Sequence, residues 1–322
     1  MVQQDLGLSK KHIKLVFCGI ILLMSQSSKI TFIDLFAGIG GFHYAFHNEG
    51  AECVFASEWD NHARKTYEAN FKKISPKIFE EKVCKNEIIS DFAGDITKVD
   101  AKDITDFDIL TGGFPCQPFS QAGFKKGFED TRGTLFFDIA RIIKEKQPKA
   151  FFLENVRGLL KHNNGETFAT IEKVITQDLG YSFYYKIIKA SDYGVPQHRP
   201  RLFMVGFKNK KIDFEFPKPI KLKMTMSDVF GGKAEKEIGF TLRVGGRGSD
   251  ISDRRNWDAY IVDGQVKRLS PREGLKMQGF PSDFVFPVSD VQAMKQLGNS
   301  VAIPAIQATA KKIIEALKND SI

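Results

Sequence analysis

The feature that most constrains this chain is a rhythm. From residue 30 onward, short apolar runs of strand length alternate with amphipathic stretches of helix length. The spacing predicts strands over 30–35 (Ile-Thr-Phe-Ile-Asp-Leu), 52–57, 107–111 and 149–153, with helices over 41–49, 60–70, 134–146 and 166–178. A hairpin pair follows at about 181–190 and 202–208. Such alternation folds as an α/β protein, a parallel sheet with helices on both faces. With 322 residues there is chain enough for one large core and a smaller lobe. The rhythm stops at 208. Residues 208–268 show no long helical period and hold 14 Lys+Arg against 9 Asp+Glu, a local net of +5. Helical signals return at Ser270-Pro271-Arg272-Glu273, where serine as N-cap, proline at N1 and glutamate at N3 make a capping box that Gly279 can close. A last helix, from about 303 to 317, carries apolar residues at 303, 306, 313, 314 and 317. The expected division is therefore 25–207 as the main domain, 208–268 as a separate lobe, and 269–322 as a segment that completes the main domain.

Residues 1–24 stand apart. Lys10, Lys11 and Lys14 precede an apolar run from Leu15 to Met24, imitating a signal peptide, but the run is too short to span a bilayer and lacks a clean cleavage site. We read Met24 as the natural start and residues 1–23 as an upstream extension, with no membrane association. Cys18, Cys53, Cys84 and Cys116 are widely spaced, which points to neither a zinc site nor a disulfide framework, and so to no metal and a reducing cytoplasm. The net charge of +8 suits a polyanionic partner such as nucleic acid, or belongs to a merely basic enzyme.

The first strand runs into Asp34-Leu-Phe-Ala-Gly-Ile-Gly-Gly41. Glycines 38, 40 and 41 let a ligand approach the backbone where strand turns into helix. The dinucleotide fingerprint is incomplete, because His43 stands where its third glycine belongs. Glu58 ends the second strand, placed to accept hydrogen bonds from two ribose hydroxyls. Trp59 offers a flat face for adenine or is a core residue; Asp95-Ile96 meets the adenine amino group or is a turn. Together they indicate a nucleoside-bearing cofactor, and S-adenosylmethionine fits better than NAD because nothing marks a pyrophosphate clamp.

Residues 112–120 read Gly-Gly-Phe-Pro-Cys-Gln-Pro-Phe-Ser. Two glycines turn the chain after a buried strand and two prolines hold Cys116 on a stiff loop, a presentation that a nucleophilic thiol needs and a core cysteine does not. Glu154-Asn155-Val156 ends the next strand, so in a parallel sheet both loops open on one edge. A thiolate and a carboxyl facing one pocket suit methylation of cytosine at carbon 5. Cys116 adds to carbon 6 and makes carbon 5 nucleophilic, while Glu154, its pKa raised by burial, holds or donates a proton at N3. In Gln197-His198-Arg199-Pro200-Arg201, Arg201 is placed to bind the cytosine O2 and Arg199 to steady the glutamate or a phosphate.

At this point the chain resembles the prokaryotic DNA (cytosine-5)-methyltransferases, of the kind found in restriction-modification systems. The matching pieces are Asp34–Gly41, Glu58-Trp59, Asp95-Ile96, Gly113–Ser120, Glu154–Val156, Gln197–Arg201, Arg268–Pro281 and Gln296–Val301, in the family's order. The resemblance implies a Rossmann-like, S-adenosylmethionine-dependent domain with a small inserted target-recognition domain, for which 208–268 is short. It implies Cys116 as nucleophile, with Glu154, Arg199 and Arg201 beside it. The implied cofactor pocket comprises Phe36, Ala37, Gly38, Gly40, Gly41, Glu58, Trp59, Asp95, Ile96, Pro115, Asn299 and Ser300, so both chain ends complete one site. The substrate is double-stranded DNA, with the target base flipped out of the stack at a cost of about a few kcal/mol. Ser120, Gln121 and Lys125 follow the nucleophile toward the DNA. In the lobe, Arg243 and Arg247 are placed to read guanine edges and Arg254 and Arg255 to bind phosphate. A tRNA cytosine-5 methyltransferase on the same scaffold would carry a Cys-Phe-Thr tripeptide, which is absent. A non-catalytic relative would have lost Cys116 or Glu154. The family further implies a cognate restriction endonuclease as partner, and a monomer, since one chain supplies every part.

Overall fold

The computed structural model describes residues 29–84, 87–115 and 135–320. The extension 1–24 and the loop that carries Cys116, Ser120, Gln121 and Lys125 lie outside these residues. The chain builds a seven-stranded sheet from β1 (Thr31–Leu35), β2 (Glu52–Ser57), β5 (Phe92–Ala93), β6 (Ile109–Gly113), β7 (Ala150–Val156), β8 (Tyr184–Lys189) and β9 (Pro200–Phe207), in the order β5-β2-β1-β6-β7-β9-β8. Strands β5, β2, β1, β6 and β7 are parallel, and β9 runs antiparallel between β7 and β8. The chain steps from β1 to one side and returns to the other at β6, so the crevice at the carboxyl ends of β1 and β6 is the switch point where α/β sheets bind ligands.

Strands buried on both faces supply two apolar layers by alternation. Phe32, Ile109 and Phe152 face one layer; Ile33, Leu110, Phe151 and Leu153 face the other. Helices α1 (Gly41–Asn48) and α8 (Ile303–Asp320) contribute to the first through Phe42, Phe46, Ile303, Ile306 and Ile313. Helices α3 (Leu135–Lys146) and α4 (Glu166–Lys173) contribute to the second through Phe136, Ile139, Phe168 and Ile171. Helix α2 (Asn61–Phe71) starts on an Asp60 cap, and α4 continues as a π-helical turn over Val174–Asp178. A hairpin of β3 (Lys82–Cys84) and β4 (Glu87–Ile89) stands beside the sheet.

Residues 208–268 hold only the short α5 (Met226–Phe230) and the hairpin of β10 (Ala259–Val262) and β11 (Gln265–Arg268). Met226, Leu242, Trp257 and Tyr260 belong to the same apolar cluster as the α1–α8 face, so this lobe shares its core with the sheet. Helix α6 (Pro271–Gln278) has the Ser270–Glu273 capping box and ends on Gly279 at φ 73°. Helix α7 (Asp290–Asn299), capped by Ser289, leads to α8.

Candidate active site

The chain leaves β1 through a tight series of left-handed residues, Phe36 (φ 55°), Gly38 (φ 56°) and Gly40 (φ 83°). Gly40 needs glycine twice over, because a Cβ there would also run into the ring of Phe71. Opposite this turn, Glu58 accepts hydrogen bonds from the Gly38 amide (2.7 Å, Oε2) and the Asp60 amide (2.8 Å, Oε1). Burial pushes its carboxyl up, and those amides pull it back. Trp59, next to Glu58 in the chain, is 79% exposed, so it is not a core residue. Asp95 is spent partly as a cap: one carboxylate oxygen accepts from the Thr97 amide and hydroxyl. The Ile96 side chain is packed in the core. Ala37 is buried and donates its amide to the Ser57 carbonyl.

Arg64, which belongs to no motif, and Asp34, which opens the glycine motif without having been assigned to the pocket, both shape it. Arg64 donates to the carbonyls of Glu58 and Phe92 (3.0 Å each) and to that of Ala93, and lies 4.2 Å over the Phe92 ring, which fixes the ends of β2 and β5 together. No sequence pattern marks a side chain that reaches carbonyls on two strands. Asp34 is fully buried and has its carboxyl pushed well up by burial and by Glu58. From the far end of the chain, Ser300 lies over Gly41, where a Cβ would come 3.4 Å from the serine oxygen. Buried Ser300 Oγ and Asp34 Oδ2 have no hydrogen-bond partner among the described residues, and a Cβ on Gly38 would meet nothing within 4 Å. Free polar atoms, an open space above the glycine turn, a carboxylate and an exposed indole fit a nucleoside-bearing group. Asn299 is exposed at the same turn.

On the other side of the switch point, Gly113 pairs with Glu154, and a Cβ on Gly113 would come 3.3 Å from Glu154 Oε2. Asn155 donates to the Phe114 carbonyl at 2.9 Å, tying the end of β7 to the root of the Cys116 loop; Pro115 is the last described residue there and is exposed. Arg201 Nε lies 2.9 Å from Glu154 Oε1, both side chains largely buried. Burial pushes the Glu154 carboxyl above the usual carboxylate range against the pull of Arg201 and Arg199. An acid in that state can hold a hydrogen bond to a ring nitrogen and give up a proton.

Arg199 departs from expectation. It is 2% exposed and therefore does not meet a phosphate. Its guanidinium donates to the carbonyls of Leu242 (3.1 Å), Gly298 (3.0 Å) and Ser300, and only its field acts on Glu154. Gln197 beside it accepts from the Leu242 amide and donates to the Met277 carbonyl, both at 3.0 Å. The lobe residues divide likewise. Arg243 and Arg254 are exposed. Arg247 does not stand free to read a guanine: it donates to the Leu269 carbonyl (2.9 Å) and lies 3.8 Å from Asp258. Arg255 pairs with Asp253 at 2.7 Å on the surface. Among the described residues, no group of acidic, histidine or cysteine side chains is arranged to hold a metal, and no helix is long and apolar enough to cross a membrane.

A profile of C-5 cytosine-specific DNA methylases matches residues 30–244 and 241–315. The Type II methyltransferase M.SsoII of Shigella sonnei is 43% identical over 91% of this chain and 82% of its own length. M.HpaII of Haemophilus parainfluenzae is also 43% identical, over 90% and 91%. Among solved structures, a putative DNA modification methyltransferase encoded within an E. coli prophage shares the fold with a TM-score of 0.67 at 22% identity, over 90% of this chain and all of that one. The chain thus belongs to the C-5 cytosine-specific DNA methylase family and is a DNA (cytosine-5)-methyltransferase.

Proposed function

We propose that the protein methylates carbon 5 of a cytosine flipped out of a specific duplex DNA sequence, through a covalent adduct of Cys116 at carbon 6. The observation that carries the reading is Glu154. It is a buried carboxyl with a raised pKa, ion-paired to Arg201 and next to the root of the Cys116 loop. The Cys116 thiolate adds to carbon 6, and the electron pair of the 5,6 double bond moves toward N3. Glu154 meets that charge with a hydrogen bond or proton, so carbon 5 becomes an enamine carbon. Arg201 orients Glu154 and the cytosine O2. After carbon 5 has been methylated, loss of its proton restores the double bond and expels the thiolate.

Gly38, Glu58, Trp59 and Ser300 would hold S-adenosylmethionine, with Glu58 on the ribose hydroxyls and Trp59 against the adenine. Bound there, it supplies an electrophilic methyl group on a sulfonium. The same reading gives a cytoplasmic monomer paired with a cognate restriction endonuclease, as befits a Type II methyltransferase.

The test uses duplex DNA containing 5-fluorocytosine, from which the final proton loss cannot occur. Wild-type protein with S-adenosylmethionine should form a methyl-dependent covalent adduct, and Cys116→Ser should form none. An adduct on tRNA but on no duplex would move the substrate to RNA. No adduct on either would overturn the mechanism.

A further inference from the structure

The lobe loop 241–249 is fastened at both ends. At its start, Arg199 and Gln197 hold the carbonyl and amide of Leu242, and Gly298 packs so closely that a Cβ there would lie 2.5 Å from the Arg243 carbonyl carbon. At its finish, the buried Trp257 ring donates to the Gly245 carbonyl at 2.8 Å, and Asp258 takes over. Asp258 is wholly buried. Each of its carboxylate oxygens lies 3.3 Å from the Gly248 amide and 3.1 Å from Arg268 Nη1, with Arg247 Nε at 3.8 Å. Arg268 also donates to the Ser249 carbonyl at 2.9 Å. One carboxylate therefore binds two arginines whose side chains are more than a third exposed at the surface of the lobe. Between the two fastenings, Arg243 and Val244 remain exposed.

Arginine on phosphate adds affinity for every sequence alike, whereas arginine on a base edge discriminates. Two half-exposed arginines beside a DNA-facing loop would raise non-specific binding unless something held them. We propose that Asp258 is a specificity-positioning residue: it draws Arg247 and Arg268 into the lobe, keeps both off the DNA backbone, and leaves Arg243 and Val244 as the base-facing side chains of a rigid loop. The proposal rests on the reading of residues 241–249 as the DNA-facing edge of the lobe.

The test is Asp258→Asn in the full chain, which keeps an acceptor for the Gly248 amide but loses the charge. The target site is first read from methylated positions in a randomised duplex library. Binding of target and unrelated duplexes is then followed across salt concentrations, with S-adenosylhomocysteine present. Each arginine released onto phosphate should steepen the dependence of log K on log salt by about 0.9, up to about 1.8 for both. The preference for target over unrelated duplex should fall about tenfold or more. Adding Arg247→Gln and Arg268→Gln to Asp258→Asn should return the slope to the wild-type value. A folded Asp258→Asn protein with unchanged slope and preference overturns the proposal. Arg247→Gln alone decides the matter if Asp258→Asn does not fold. An unchanged slope supports the proposal, and a slope shallower by about one shows that Arg247 already sits on phosphate, which overturns it. If the wild-type library shows no methylated cytosine, the proposed DNA methylation fails before any variant is made, and Arg243→Ala with unchanged target preference and unchanged slope would show that the loop does not face DNA.

Discussion

Lowering the pH should destabilise this protein through one buried ring, His43. The ring sits in α1 behind the glycine turn, wholly buried, stacked on Phe71 at a centroid distance of 4.1 Å. Its Nδ1 is 2.6 Å from the Tyr67 hydroxyl and its Nε2 3.0 Å from the Ser75 hydroxyl, so both nitrogens are used without a counter-charge. Burial, with a smaller contribution from His47, pushes its pKa down to about 3. The folded protein therefore keeps His43 neutral where the unfolded chain takes up a proton below about 6.5. The stabilisation is complete above the unfolded value and is lost as pH falls toward the folded one. At about pH 5 the unfolded histidine lies roughly 1.5 pH units inside its protonated range, which at about 1.36 kcal/mol per unit costs about 2 kcal/mol relative to about pH 7.5. Because about pH 5 still lies well above the folded pKa, that figure is set by the unfolded histidine. Asp34 and Glu58, both raised by burial, act with the opposite sign and become less costly as pH falls, so the total curve mixes these contributions. The comparison with His43→Gln isolates the ring, since glutamine offers polar partners to Tyr67 and Ser75 but does not titrate. In urea unfolding at the two pH values, wild type should lose about 2 kcal/mol more than His43→Gln. Equal losses within about 0.5 kcal/mol would refute the reasoning, for they would mean that the ring is solvated or protonated in the fold.

Two further outcomes follow from the site. Arg199→Lys keeps the charge but cannot bridge the carbonyls of Leu242, Gly298 and Ser300, so it should cost about 3 kcal/mol, read as a thermal midpoint lower by several degrees. A midpoint within about 1 °C of wild type would show that the clamp contributes little. Glu58→Gln removes the charged acceptor facing the Gly38 and Asp60 amides, and should weaken S-adenosylhomocysteine binding about 10- to 100-fold by calorimetry while leaving the salt dependence of DNA binding alone. A change of less than about twofold would remove Glu58 from the pocket.

Much of this architecture can be read from local pattern. The strand at 52–57 and the helix starts near 41, 61, 135 and 271 follow from apolar period, glycine and capping residues, because those signals lie within a few residues of the element they set. Strands β6 and β7 run two or three residues beyond the expected ends, since Gly112, Gly113 and the polar Glu154-Asn155 continue the ladder on neighbouring strands rather than on their own apolarity. Strand β5 lacks a strong pattern of its own: it has two residues, held by β2 and by Arg64. In the site, Glu154 and Arg201 pair where β7 ends, while Glu58 lies at the end of β2, with β1 and β6 between. What sequence could not reveal is how each arginine is spent. Arg199, Arg201 and Arg247 look alike in a motif, yet one clamps backbone, one pairs with a carboxylate in the pocket and one is tethered within the lobe. That division depends on partners about 10 to 100 positions away.

The bonds that join the lobe loop to the body, from Gln197 and Arg199, fall on the amide and carbonyl of Leu242 rather than on any side chain of the loop beyond it. Main-chain groups are the same whatever residue bears them. The side chains that the seam does hold, the Thr241 hydroxyl on the His198 carbonyl and the buried Leu242, precede residues 243 and 244, so these two can drift through many combinations while the joint that carries them stays intact. With residues 243 and 244 facing the DNA as proposed above, target preference would change in a lineage by substitutions that neither open the core nor disturb the chemistry. Methyltransferases that recognise different sequences can in this way share one catalytic body.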